Sequence, residues 1–162
     1  RKYENLLVVQ TFSKSRSMAG MRIGFAIGSE RLIKAMNDVK YSYNSYTMNT
    51  PALMLGTEAL KDEGYFQAVT GKIIETREKS KKRFAELGFT FPDSMANFLF
   101  VSHKRCPAAE LFEALKSDHI YVRYFNQERL SGHLRITIGT EEEMDRLFRF
   151  LGTYLEEKGY QD

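Results

Sequence analysis

Leu6-Leu7-Val8-Val9 is an unbroken apolar run with β-branched members, followed by a polar stretch from Gln10 to Ser17. A run without alternation reads as a strand buried on both faces. Ile23-Gly24-Phe25-Ala26-Ile27 repeats the pattern and stops at Gly28-Ser29. The two are expected to be neighbouring strands of a larger, mostly parallel sheet whose remaining strands lie outside this chain. From Ser29 the period changes to helical, with Ser29 as the expected cap and Leu32, Ile33, Met36 and Val39 on one side.

Tyr41 to Thr50 is an aromatic and polar interruption. Pro51 then suits the first turn of a helix continued by Ala52, Leu53, Leu55, Ala59 and Leu60. A break near Gly64 is expected before a long helix over residues 66–87, with Val69, Ile73, Ile74 and Phe84 on its apolar side and Gly88 as its stop. Beyond Gly88 the texture is α+β. Strands are expected over residues 89–91, 97–101, 120–124 and 133–138, and a helix over 108–117. A last helix starts at Thr140, with Glu143 three residues on and Leu147, Phe148, Leu151, Tyr154 and Leu155 as its apolar face.

At 162 residues and 43% hydrophobic content, the chain can bury a sizeable core. Charged residues are 28% of it, yet the net charge is only +3, which gives no reason to expect a nucleic-acid partner. The basic run Lys79, Lys81, Lys82, Arg83 is interleaved with Glu75, Glu78 and Glu86 and reads as a solvated helix face. The single Cys106 can form neither an internal disulfide nor a thiolate zinc cluster, and His103, His119 and His133 lie in three separate segments, so no metal is expected. No stretch approaches the roughly 18 apolar residues of a membrane span, and the N-terminus lacks the apolar core of a signal peptide. A cytoplasmic protein without a membrane partner is the expectation. The chain has no initiator Met and enters a strand-like run almost at once, so a fragment of a longer protein is expected.

Between the first two strands lies Thr11-Phe12-Ser13-Lys14-Ser15-Arg16-Ser17-Met18-Ala19-Gly20-Met21-Arg22, which gathers hydroxyls and cations. Residues after the carboxyl end of a strand line the crevice where α/β sheets bind ligands. Arg suits a phosphate dianion through parallel charge-assisted hydrogen bonds, and a lysine of lowered pKa could act as a nucleophilic amine. No Gly stands where a Walker loop needs one. By residue type alone this is a candidate anion site, and a polar surface loop with a solvated lysine is the competing reading.

Thr11-x-Ser13-Lys14, then a variable stretch, then Ala19-Gly20-Met21-Arg22-Ile23-Gly24 closely resembles the cofactor-lysine motif of fold-type I (class I/II) pyridoxal-phosphate-dependent aminotransferases, in particular their histidinol-phosphate branch. The resemblance implies that Lys14 holds pyridoxal 5'-phosphate as a Schiff base, while Thr11, Ser13 and Arg22 contact its phosphate. Leu134-Arg135-Ile136-Thr137-Ile138-Gly139 resembles the block that carries the substrate-carboxylate arginine, here Arg135. Arg123 matches the branch's arginine for the substrate phosphate, and Tyr43-Asn44 its substrate-entrance segment, which makes Asn44 a candidate substrate contact. Asn97 resembles the asparagine that opens the small domain.

The implied architecture is α/β. Residues 1–50 would be the C-terminal remnant of the large cofactor-binding domain, 51–88 an interdomain helical segment and 89–162 a small α+β domain. The implied reaction moves an amino group between an amino acid, such as histidinol phosphate, and 2-oxoglutarate, in a homodimeric parent. Rival readings are an aspartate or aromatic aminotransferase or an amino-acid-phosphate decarboxylase of the same fold, an aminotransferase-like effector domain of a transcription regulator, and a plain α+β interaction domain. The family's backbone phosphate loop, ring-stacking aromatic and pyridine-pairing acid have no match in these residues. The chain by itself is therefore expected to bind the cofactor weakly and to lack turnover.

Overall fold

In a computed structural model that describes residues 3–160, β1 (Leu7–Thr11) and β2 (Gly24–Gly28) pair antiparallel, with Leu7 opposite Gly28 and Thr11 opposite Gly24. Both strands start a residue later than their apolar runs. The expected burial on both faces is not found: Val9 is 67% exposed and Ile27 61%. A two-stranded ribbon gives each strand one neighbour, and its buried apolar cluster is formed by Phe12, Ile23 and Ala52 with Met18, Met21 and Met48 against them. Every strand pairing among the described residues is antiparallel, so these strands do not form a parallel sheet with one another.

The chain divides between Thr70 and Gly71 into two units. In the first, α2 (Glu30–Tyr43) follows Ser29, which sits in the cap position but whose hydroxyl donates to the Glu4 carbonyl at 2.9 Å instead of capping. Asn49 Oδ1 accepts from Ala52 N at 2.8 Å and starts α3 (Thr50–Lys61), with Pro51 in the first turn. A Cβ on Gly56 would stand 2.8 Å from Ile23 Cδ1, so glycine is what lets α3 pack against Ile23, just ahead of β2. The helix break expected near Gly64 falls at Asp62. Asp62 ends α3, and its carboxylate accepts from Tyr65 N at 3.1 Å, satisfying an orphan donor at the start of α4 (Glu63–Glu86). Gly64 is carried inside α4.

Gly88 (φ +78°) closes α4 in the left-handed region. Then come β3 (Phe89–Thr90), β4 (Phe98–His103), α5 (Ala108–Ser117), β5 (Arg123–Tyr124), β6 (Leu134–Thr137) and α6 (Glu141–Glu157), with strand order β3-β4-β6-β5. Leu99, Val101, Leu134 and Ile136 face a core completed by Phe84 of α4, Leu111 and Leu115 of α5, and Leu147, Leu151 and Leu155 of α6. Period-2 alternation therefore turns Phe98, Phe100 and Arg135 to the other face. The strand expected over 120–124 shrinks to two residues because Ile120 N is committed elsewhere. It bonds Leu115 O at 2.8 Å while His119, at φ +59°, bonds Lys116 O, a Schellman closure of α5.

α6 opens on the expected capping box, Thr140 with Glu143, and closes on a second Schellman turn at Gly159 and Tyr160. In the basic run on α4, Lys79 pairs with Glu75 and Glu141, Lys81 with Glu78 and Asp93, and Arg83 with Asp145, so that three of the partners come from outside the helix. These pairs are exposed to differing degrees and add little stability.

Glu110 fastens the end of α6 to α5. It accepts from the Tyr154 hydroxyl at 2.7 Å and the Tyr160 hydroxyl at 3.1 Å, and the Tyr154 bond holds its carboxyl below the usual range. Nearby, burial first and the Glu110 charge second push the Cys106 thiol up to about 11, and burial likewise raises Tyr154. The fold thus favours the neutral thiol and phenol. That contribution is whole below the unfolded thiol pKa of about 8.5 and is lost as pH rises through the folded values. The melting temperature should hold to about pH 8.5 and then fall, and Cys106→Ala should remove the first part of the fall. Leu151→Ala should cost about 3 kcal/mol in denaturant unfolding, and Thr140→Ala about 1 kcal/mol.

Candidate functional site

Residues 12–23 leave β1 and return to β2 as one closed loop. Phe12 N donates to Ile23 O at 3.1 Å, and Thr11 Oγ1 donates to the same carbonyl at 3.2 Å. Inside it, α1 (Phe12–Ser15) buries Phe12 and leaves Lys14 exposed. Thr11 Oγ1 accepts from Ser13 N at 3.1 Å and lies 2.8 Å from Ser13 Oγ. Met18 N bonds back to Phe12 O at 3.1 Å, and a 3-10 turn, Ala19–Met21, packs on α1. Arg22 ends that turn with φ 57° and ψ 37° and donates from Nη1 to Ala19 O at 3.0 Å. A non-glycine residue in the left-handed region is strained backbone of the kind that gathers at functional positions. Thr11, Ser13, Lys14 and Arg22 thus stand on one loop closed at its base. The Ser13 hydroxyl beside Thr11, a guanidinium with donors to spare and an exposed amine fit a phosphate-bearing carbonyl compound.

In the second unit, Phe100 and Arg123 both stand opposite Arg135 in the ladder. The Arg135 guanidinium lies 5.4 Å from the Phe98 ring centre and 5.9 Å from that of Phe125, and Arg123 lies 5.2 Å from Phe125. Arg135 Nε is buried without a hydrogen-bond partner. Two cations directly opposed on neighbouring strands repel, and a buried unpaired donor is costly. An anion at this face would relieve both. Residue patterning missed Phe125, which takes part through ring contacts that no spacing marks. His133 stacks on Phe100 at 4.5 Å with its Nδ1 buried and unpaired.

Asn44 caps α2, with its backbone N–H on Lys40 O and its Oδ1 accepting from Tyr46 N at 3.1 Å. Its side chain is engaged in a local turn. Asn97 gives its carbonyl to Ile138 N at 2.9 Å. Lys14, Thr11, Ser13, Arg22 and Asn44 belong to the first unit, Arg123 and Arg135 to the second.

The family model of class I and II aminotransferases matches residues 1–151. The chain belongs to that family, and its fold is the mixed α/β fold of the fold-type I enzymes. Among relatives, it is 54% identical over 145 residues to the histidinol-phosphate aminotransferase of Brachyspira hyodysenteriae, covering 90% of this chain and 41% of that protein. The crystal structure of the histidinol-phosphate aminotransferase from Clostridium acetobutylicum matches 96% of this chain and 47% of its own with a TM-score of 0.85, at an identity of 23% that speaks for fold. That of Sinorhizobium meliloti, solved in complex with pyridoxal-5'-phosphate, matches 96% of this chain and 42% of its own, with a TM-score of 0.78 and 27% identity. The chain spans about two fifths of the length of the curated relatives it matches.

Arg77, which is buried, and Arg135, which is half-buried with its Nε enclosed, should part company when replaced by methionine. Arg77, 6% exposed, donates to Ala96 O at 3.2 Å and to Glu78 at 2.9 Å, so Arg77→Met should lose about 2 kcal/mol in denaturant unfolding. Arg135→Met removes an unpaired buried donor and should leave stability unchanged or raised. A comparable loss in both would show that Arg135 is a structural residue.

Proposed function

We propose that this chain supplies the cofactor-lysine and substrate-arginine portion of a pyridoxal-phosphate-dependent aminotransferase. Its reaction moves an amino group between histidinol phosphate, or a closely related amino acid, and 2-oxoglutarate. The observation that carries this reading is the closed loop that presents Thr11, Ser13, Lys14 and Arg22 together. Support for the substrate comes from the 54% identical relative named histidinol-phosphate aminotransferase. The parent polypeptide is proposed to work as a cytoplasmic homodimer, with residues 1–50 as part of its large domain, 51–88 as the helical link and 89–162 as its small domain.

Thr11, Ser13 and Arg22 would hold the cofactor phosphate, the hydroxyls by neutral and the guanidinium by charge-assisted hydrogen bonds. Pyridoxal phosphate, when bound, supplies the electron sink that makes the amino-bearing carbon of the substrate acidic. Lys14 would anchor it covalently through Nζ in the resting state. The same Nζ, when free, would move the proton at the amino-bearing carbon of the substrate, as a general base and then a general acid. Arg135 would take the carboxylate of 2-oxoglutarate and Arg123 the phosphate of histidinol phosphate, with Asn44 assigned to the substrate side. Arg135 lacks a partner at Nε, the condition of a residue held for a ligand.

Tests belong in a polypeptide of the relatives' full length. Lys14→Ala should lower kcat about 10²- to 10⁴-fold. Arg123→Ala should raise KM for histidinol phosphate by an order of magnitude or more, about what one charge-assisted bond supplies, and leave KM for 2-oxoglutarate unchanged. No turnover of histidinol phosphate by the unaltered enzyme would reject the substrate assignment, and full activity in Lys14→Ala would reject the enzyme reading. The 162-residue chain alone is expected to bind pyridoxal phosphate weakly and to show no turnover.

A further inference from the structure

Arg16 lies in the stretch between Lys14 and Ala19 that varies in the family motif, and nothing in its residue type marks it. Its side chain nevertheless turns inward and is 13% exposed. The guanidinium lies 4.3 Å from the ring centre of Phe66 and 5.8 Å from that of Phe12. Its Nη1 donates to the carbonyl of Ala59, and Nη2 lies 3.8 Å from Glu63 Oε2. Ala59 belongs to the last turn of α3, where carbonyls lack helical partners and carry the negative end of the helix dipole. Glu63 and Phe66 lie in the first turn of α4. One side chain therefore grips the corner where α3 gives way to α4 by a hydrogen bond, an ion pair and a stacked ring, the combination that Arg offers and Lys does not.

The backbone beside it is strained. Ser17, the next residue, has φ 56°, and Arg22 has φ 57°, so two non-glycine residues in the left-handed region bracket the turn between Lys14 and Arg22. Such backbone persists where its surroundings over-determine it. On the Lys14 side the fixed points are the Phe12 ring and the Arg16 guanidinium; on the Arg22 side they are Ile23 and the ladder at Gly24.

We propose that Arg16 is the positioning residue of this loop. It anchors the segment to the α3–α4 corner so that Lys14 Nζ and the Arg22 guanidinium are held at one spacing, that of the carbonyl carbon and the phosphate of a single cofactor. Arg16 touches neither; it acts through the backbone of residues 14–22. The inference rests on the aminotransferase reading above.

The test compares wild type, Arg16→Met and Arg16→Lys in a polypeptide of the relatives' full length. The measurements are the dissociation constant for pyridoxal phosphate, the pH midpoint of the bound cofactor's visible absorbance, and the cofactor-free melting temperature. Arg16→Met should weaken binding about tenfold or more, the worth of a charge-assisted hydrogen bond, and shift the midpoint. Arg16→Lys keeps a cation within reach of the Ala59 carbonyl and should recover part of both. A variant that melts lower but binds with the wild-type constant and midpoint overturns the proposal, because Arg16 would then only stabilise the fold. If Arg16→Met does not fold, Arg16→Lys decides: unchanged constant and midpoint overturn the proposal, and a partial shift in both supports it. Failure of the wild type to bind pyridoxal phosphate would reject the aminotransferase reading and this inference with it, whereas normal wild-type binding with unaffected variants rejects the inference alone.

Discussion

The pairing that brings Thr11 opposite Gly24, sealed by two hydrogen bonds on the Ile23 carbonyl, is the constraint on which the candidate site depends. It converts residues separated along the chain into the two ends of one closed loop. Without it, Lys14 would be one solvated lysine among many and Arg22 a strand residue. Burial of Phe12 and Ile23 under Ala52 and the methionines secures the loop from below, and the hydroxyls of Thr11 and Ser13 are ordered by each other and by Ser13 N. The apolar part of the segment thus does the folding, which leaves the polar part free for chemistry.

The second unit solves a different problem. Its core is dense and its helix ends are closed by a capping box and two Schellman turns, so the sheet offers a fixed platform. On the far side of that platform stand Arg123, Arg135, Phe98 and Phe125. The arrangement sacrifices stability locally, through opposed cations and a buried donor without a partner. Strain of this kind is tolerated where a ligand relieves it.

Legibility in the sequence followed physical range. Helix ends governed by adjacent residues were readable: residues 108–117 match α5, and Thr140 with Glu143 announces α6. Ser29 takes the expected cap position, but its hydroxyl serves a distant acceptor, the Glu4 carbonyl, which no adjacent residue signals. The break near Gly64 is legible to within two residues, its exact place being set by Asp62, which ends one helix and starts the next. The strand over 120–124 was overextended because His119 adopts a left-handed conformation that no pattern of apolar residues encodes. At the site, the lysine motif was legible through resemblance, whereas Arg16, Phe125 and His133 act by contacts across the fold and leave no local signal.

The central claim is that Lys14 is the residue that carries pyridoxal phosphate. Borohydride reduction of the full-length polypeptide after incubation with pyridoxal phosphate, followed by peptide mass spectrometry, tests it most directly. One stoichiometric pyridoxyl adduct on Lys14, lost in Lys14→Ala and competed by inorganic phosphate, is the expected result. A label spread over surface lysines, or concentrated on a lysine other than Lys14, would contradict it.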